Sequence, residues 1–376
     1  MRFDVPEIPA GAAALRAEVR AFLAEAGRDW TPAVRARSWM GFDRAFSREV
    51  GARGWIGMVW PREYGGQARS GLERAVVLEE MLAVGAPVGA HWIADRQSGP
   101  LLLRLGREEQ KRRLLPAIAR GELAFCIGLS EPEAGSDLAA LRTRAERVPG
   151  GWKLNGRKIW TTFAHLSDYM IALVRTSPPP EGGSRHLGLS QFLVDLRASG
   201  ISIRPIRDLL GEESFNEVTF DEVLLPEEAL LGREGAGWAQ ATSELAFERS
   251  GPDRILSSFP ALAEGMDALR DAPGAAPVLG RLVARLATLR QMSLSLAAML
   301  ERGEDPAREA ALLKDLGNSF EQALPEALRG LLDPEEMPPG LRALLDDLVQ
   351  LSPTFSLRGG TREILRGIIA RDLGLR

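Results

Sequence analysis

Apolar side chains recur every three to four positions from about residue 11 to residue 125. Leu15, Val19, Phe22 and Leu23 share one face of residues 13–26, and Val76, Val77, Leu78, Met81 and Leu82 do the same on 73–84, so both stretches are predicted as helices. A third helix, over 107–120, opens on Glu108 and Glu109 and stops at Gly121, which suits the helix dipole and a glycine terminator. Between 123 and about 231 the period shortens, predicting strands over 152–159, 169–174, 189–194, 201–206 and 215–223. Loops rich in Gly and Pro separate them, the longest over 177–188. Such spacing predicts a β-barrel-like or sandwich domain rather than a parallel sheet. After Gly235-Ala236-Gly237 helical spacing returns over 238–256, 278–302, 306–331, 341–351 and 361–375. The chain is therefore expected to be α+β in three parts: an N-terminal helical domain over 1–122, a middle β domain over 123–236 and a C-terminal helical domain over 237–376.

Composition narrows the class of partner. At 376 residues and 45% hydrophobic, the chain has ample material for a core beyond one typical domain. Its 47 basic and 51 acidic residues are interspersed, which argues against nucleic acid or an anionic membrane as main partner. The opening MRFDVPEIPAG lacks the apolar region of a signal peptide, and no apolar stretch is long enough for a membrane span. The single Cys126, inside an apolar run, can form no intrachain disulfide and reads as a small core residue. A cytoplasmic protein is expected.

Two stretches carry the candidate chemistry. Residues 127–137, IGLSEPEAGSD, begin as the end of an apolar run and break into a loop stiffened by Pro132 and opened by Gly135. Residues 158–162, KIWTT, follow the turns at Pro149-Gly150-Gly151 and Asn155-Gly156 and deliver Trp160 and Thr162 at a strand end. Free backbone N–H groups, the hydroxyls of Ser130, Ser136 and Thr162, and an indole make a cradle for a flat, hydrogen-bonding, anionic cofactor. Any Gly/Ser/Pro loop after a strand has this look, and the residues alone leave both readings open. No Gly-x-Gly-x-x-Gly opens a helix, so a Rossmann dinucleotide site is not expected.

The segment SEPEAGSD closely resembles the Thr-Glu-Pro-x-x-Gly-Ser-Asp signature of the acyl-CoA dehydrogenase flavoenzymes, and a Trp-x-Thr segment follows at that family's spacing. GWIGMVWPREYGG, residues 54–66, also resembles a segment the family carries between its early helices. The resemblance covers nearly the whole chain. It implies the acyl-CoA dehydrogenase fold and FAD, contacted by Ile127, Leu129, Ser130, Gly135, Ser136, Trp160, Thr162, Thr361 and Glu363. It implies no metal. The implied reaction is removal of two hydrogens from an acyl-CoA thioester: a carboxylate takes the α-proton and the β-hydrogen leaves as hydride to flavin N5.

Two branches of the family place that carboxylate differently. One carries a Glu immediately before Gly-Thr near the C-terminus, where this chain has Gly359 in Arg358-Gly359-Gly360-Thr361. The other carries a Glu-Arg pair on the first helix after the β domain, and this chain has Glu248-Arg249 there. The resemblance therefore points to Glu248 as base, with Arg249 and Ser136 toward the substrate and Glu363 the next candidate base. Most glutamates on helices are merely solvated. Against that stand the apolar neighbours Leu245, Ala246 and Phe247, and Pro252, which cannot donate to the Glu248 carbonyl, so a kink is expected there.

Homotetrameric members of the family also grip each flavin from a second subunit. The Arg-x-x-Phe-Gly segment they use reads MDALRDAPGAAP here, with Pro273 three residues after Arg270. Their Gln-x-x-Gly-Gly-x-Gly loop reads QLSPTFSL, residues 350–357. Intact first-subunit contacts beside degraded second-subunit ones resemble the α2β2 branch of bacterial steroid side-chain degradation, in which unlike subunits share each flavin. That implies a homologous partner subunit, a bulky acyl-CoA substrate and electron-transfer flavoprotein as acceptor. A non-catalytic partner subunit and a flavin oxidase on the same scaffold are the alternative readings.

Overall fold

Alternation of buried and exposed positions builds one eight-stranded sheet. Its strands are β1 (Phe125–Gly128), β2 (Arg144–Val148), β3 (Gly151–Thr162), β4 (Tyr169–Arg175), β5 (Leu189–Asp195), β6 (Ile201–Ile206), β7 (Phe215–Pro226) and β8 (Leu230–Leu231). They run β6-β7-β3-β2-β4-β5-β8, with β1 added to β4. All pairings are antiparallel except those of β1 and β2 with β4. β1 lies along Tyr169 to Ala172, and β2 meets the same strand at Arg175. Residues 129–143 are thus an excursion that leaves β4 and returns to it.

The computed structural model describes every residue except Leu332, Pro334 and Arg376, and excludes the side chains of Ala246 and Phe247. Two compact units share the chain. One comprises Met1–Phe46, Arg69–Gly89 and Ala246–Arg376; the other, Ser47–Ala68 and Ala90–Leu245. The second unit holds the whole sheet. Trp152 and Leu154 of β3, Met170, Ala172 and Val174 of β4, Phe192 and Val194 of β5, and Val218 and Phe220 of β7 form its core. Leu173 points the other way, into a cluster with Ala134, Leu141, Leu189 and Ala241. β4 is therefore buried on both faces, which its near-continuous apolar sequence YMIALVR requires.

Helices form where the 3.6-residue period is strongest. They are α1 (Ala12–Ala26), α2 (Pro32–Arg37), α3 (Arg44–Ala52), α4 (Gly71–Ala83), α5 (Gly89–Ile93), α6 (Gly99–Leu105) and α7 (Glu108–Ala119), then α8 (Gly237–Ser250), α9 (Phe259–Ala268), α10 (Ala275–Glu301), α11 (Ala307–Arg329), α12 (Pro339–Leu351) and α13 (Arg362–Asp372). In the first unit α4 meets α10 through Leu72, Ala75, Leu294 and Ala298. Buried Glu79 and Glu80 of α4 need cations there, and receive them. Arg20 of α1 reaches Glu80 at 2.6 Å, Arg290 of α10 reaches Glu79 at 2.8 Å, and Arg16 pairs with both.

The helix expected over 238–256 is shorter. α8 stops at Ser250, Gly251 is extended (φ −72°, ψ 156°), and Pro252 opens a separate 3-10 turn, Pro252–Arg254. Pro252 breaks the helix rather than kinking it, because the ring both lacks an N–H and clashes with the preceding turn. Among the described residues no helix is long and apolar enough to cross a membrane.

Candidate functional site

The loop between β1 and β2 is held from beneath by a buried ion pair. Lys158 of β3, with no solvent exposure, donates to Glu131 Oε1 at 2.8 Å and to the Leu129 carbonyl at 3.0 Å. Glu131, 7% exposed, also accepts the backbone N–H groups of Arg142 at 2.6 Å and Thr143 at 2.9 Å. Burial pushes the Lys158 ammonium down to about 8, while Glu131 opposes that fall. Burial pushes the Glu131 carboxyl up, but Lys158 and the donated hydrogen bonds outweigh it and hold Glu131 below its usual range. Both groups are therefore charged at neutral pH. The turn itself closes by paired Glu131–Ala134 backbone bonds of 3.0 Å, and Ile159 N–H donates to the Ser130 carbonyl at 3.0 Å.

That scaffold leaves the rest of the loop outward. Gly135 and Ser136 are exposed, and a Cβ built on Gly135 meets nothing within 4 Å. Among the described residues, no group pairs with the hydroxyls of Ser130 and Ser136 or the amide of Gly135. Ile127 and Leu129 are half-buried beside them. Asp137 is clamped by Arg185 of the 177–188 loop through two bonds of 2.9 and 3.2 Å; both are exposed, so the clamp contributes little to stability.

Trp160 sits on a defect in the β3–β7 ladder. The register shifts between Lys158 and Thr161, and Trp160 takes the left-handed region at φ +58°. Such a backbone costs a non-glycine residue on the order of 1–3 kcal/mol. The indole is nonetheless 58% exposed, touching Phe215 edge-on at 6.3 Å between ring centres. Beyond it, Thr162 pairs with Phe215 in the ladder. Asn216 donates to the Thr161 carbonyl at 3.0 Å and contacts His165 at 2.8 Å. An exposed aromatic face beside free donors fits a flat, anionic cofactor such as FAD. Local strain of this kind persists where the surrounding structure enforces it.

The first unit holds the acid–base candidates. Because Pro252 supplies no N–H, the Glu248 carbonyl takes a side-chain donor instead: Arg254 Nε, at 3.1 Å. The same guanidinium donates from Nη2 to Glu248 Oε1 at 2.8 Å. Arg254 is almost wholly buried, and the Glu248 side chain is 14% exposed. Gly359 lies against that carboxylate in the left-handed region, φ +66°; a Cβ there would overlap Glu248 Oε1 and come within 3.1 Å of its Cδ. The two alternative base positions of the sequence reading thus meet at one point. Arg249, also buried, donates to the Gly359 carbonyl at 2.8 Å, and burial holds its guanidinium below its usual range. The apolar neighbours Ala246 and Phe247 fall outside the described side chains.

The other candidates make none of these contacts. Thr361 is the residue before α13. Glu363, exposed on its first turn, is held below the usual carboxylate range by its own backbone N–H and the Thr361 hydroxyl. Arg270 pairs with Asp267 at 3.0 Å on an exposed surface. Residues 350–357 form the end of α12 and a 3-10 turn, Ser352–Ser356, not a glycine loop. The sequence reading missed Glu131, Lys158, Arg254 and Lys314. The first two stand inside the quoted segments, but their pairing depends on a fold that brings residues 27 positions apart together.

The family models described as acyl-CoA dehydrogenase, N-terminal domain, and acyl-CoA dehydrogenase, middle domain, match residues 10–122 and 126–223. Acyl-CoA dehydrogenase IpdE1 of Mycobacterium tuberculosis is 34% identical over 345 residues, covering 88% of each chain. Acyl-CoA dehydrogenase FadE34 of the same organism is 36% identical over 328 residues, 84% of this chain; the match spans only 44% of FadE34. Among solved structures, the Tcur3481-Tcur3483 steroid ACAD superposes with a TM-score of 0.86 at 30% identity, over 99% of this chain and 98% of that one. The ChsE4-ChsE5 complex of M. tuberculosis does so at 0.84 and 30%, over the whole of both chains.

Lys158→Met should strand the Glu131 carboxylate and cost about 3–5 kcal/mol of stability, as breaking a buried pair does. Chemical denaturation measures this; a loss below 1 kcal/mol refutes the scaffold role. Gly359→Ala should displace the Glu248 carboxylate, and a crystal structure of that variant with an unmoved Glu248 would count against the contact.

Proposed function

The chain belongs to the acyl-CoA dehydrogenase family, and on that premise we propose that it dehydrogenates a bulky, steroid side-chain acyl-CoA with Glu248 as base. The observation that carries this reading is the Glu248 carboxylate lodged against left-handed Gly359, where any side chain would collide with it. Arg254 donates to that carboxylate, and a cationic donor favours the ionised form, the form that accepts the α-proton of a thioester. General base catalysis of this kind is typically worth about 10²–10⁴ in rate. FAD, when bound, would supply the acceptor for the β-hydride. Ser130, Gly135 and Ser136 would hold it with their free donors, Trp160 and Thr162 would flank its ring system, and Ile127, Leu129, Thr361 and Glu363 would complete its surroundings. Arg249 orients the glycine pair beside the base, and Ser136 faces the substrate.

The steroid class rests on the likeness to the Tcur3481-Tcur3483 steroid ACAD. The pairing of unlike subunits rests on the ChsE4-ChsE5 complex and on the altered second-subunit segments of this chain. The partner is a homologous subunit in an α2β2 assembly, the acceptor is electron-transfer flavoprotein, and the compartment is cytoplasmic. The functional domains run 1–122, 123–236 and 237–376.

The test of the base uses the flavin-loaded protein, with its partner where one co-purifies, and a panel of straight-chain, branched and steroid side-chain acyl-CoAs. Glu248→Gln should keep its flavin and lose at least about 10² in the rate of flavin bleaching. Bleaching at near-normal rate would move the base elsewhere. Assembly is read from solution mass and flavin content together. A cross-subunit cation on the flavin diphosphate is worth roughly 1.5–3 kcal/mol, one to two decades in affinity. The chain alone should therefore bind flavin weakly, and a heterotetramer should hold two. A homotetramer with one tight FAD per chain would overturn that assembly.

A further inference from the structure

Lys314 of α11 is buried to zero exposure, an unusual place for an ammonium. Its Nζ donates to the Gly360 carbonyl at 2.9 Å, as Arg249 Nε does to the Gly359 carbonyl at 2.8 Å. A Cβ on Gly359 would lie 3.2 Å from Lys314 Cε and would overlap Glu248 Oε1, so lysine and glutamate flank the same glycine from two elements. Both glycines are left-handed, at φ +66° and +99°. Two buried cations therefore hold in place a pair of residues whose lack of side chains makes the room Glu248 occupies.

We propose that Lys314 is a positioning residue of the dehydrogenation: it tethers the Gly359–Gly360 pair beside Glu248 and, while protonated, lowers the proton affinity of the Glu248 carboxylate. The inference rests on Glu248 being the base. The groups around Lys314 agree with a charge-setting role. Burial pushes its ammonium down to about 7, Arg254, Arg358 and Arg249 push the same way, and Glu248 opposes them. From α13, Arg362 and Arg366 are engaged by Asp315, at 3.2 and 3.1 Å, and from α10 Arg285 donates to the Leu316 carbonyl. Among the groups that act most on Lys314, the carboxylate is Glu248. The sign follows directly: below pH of about 7 Lys314 is charged, and that charge favours ionised Glu248.

The experiment is the pH profile of flavin bleaching by the acyl-CoA that reduces the wild-type flavin-loaded assembly. Lys314→Met, which keeps the shape without charge or donor, should retain its flavin while the acid limb of the profile moves up by about one pH unit. On the steep part of that limb, below both midpoints, the rate at a given pH is then about tenfold lower. Lys314→Gln, which keeps an N–H for Gly360 but no charge, should shift the limb the same way and serves if the methionine variant does not assemble. Lys314→Arg should restore the wild-type limb. A wild-type limb in both uncharged variants, or a shifted one in the arginine variant, overturns the proposal. Glu248→Gln is measured alongside. If it still bleaches, the base assignment fails whatever Lys314 does; if it is inert and Lys314→Met keeps the wild-type limb, only the role of Lys314 fails.

Discussion

Lys158, shut off from solvent, meets the buried Glu131 at 2.8 Å, and the loop that presents Ser130, Gly135 and Ser136 takes its shape from that meeting. Removing two charges from water is costly unless their remaining hydrogen-bonding capacity is used. Here it is used on the loop's own backbone: Leu129 supplies an acceptor to the lysine, and Arg142 and Thr143 supply donors to the glutamate. The pair therefore joins both ends of the 129–143 excursion to β3. Two residues further along β3 the ladder slips and Trp160 turns outward. One buried interaction thus sets the loop and the strand end in a common frame.

The first unit solves a related problem around Glu248. A proline four residues on deprives the Glu248 carbonyl of its helical donor, and the break it causes brings Arg254 back onto both the carbonyl and the carboxylate. The guanidinium thereby satisfies the backbone group that the proline orphaned and neutralises the side chain of the same residue. Gly359 then matters for what it lacks. Its neighbour Gly360 and the cations Arg249 and Lys314 keep that gap open by bonding to the two carbonyls. Flexible glycines would otherwise be free to sample other conformations. Rigidity at this point comes from buried charge, not from the glycines.

Much of the fold was legible in the chain. Period-two runs became β3 to β7 at nearly their predicted limits, and the long apolar repeats became α1, α4, α10, α11 and α13. Local physics decides these elements, so one sequence suffices. The 238–256 helix was overextended because Pro252 could have kinked or ended it, and only the surroundings of Gly251 settled which.

The cofactor segment, the Trp-x-Thr strand and the glutamate beside Pro252 were visible in the sequence, since each is a run of residue types whose chemistry is local. That Gly359 stands where a second carboxylate might have stood was visible too. What the sequence by itself could not decide was which side chains touch. Lys158 on Glu131, Arg254 on Glu248 and Lys314 on Gly360 are separated by 27, 6 and 46 positions. A buried lysine in an amphipathic helix carries no mark of its partner, because that partner is chosen by how α11 meets the loop before α13. The sequence determined the periodic elements and the residue chemistry; the tertiary structure decided the charge pairs, because only a folded chain excludes the water that would otherwise satisfy each group alone.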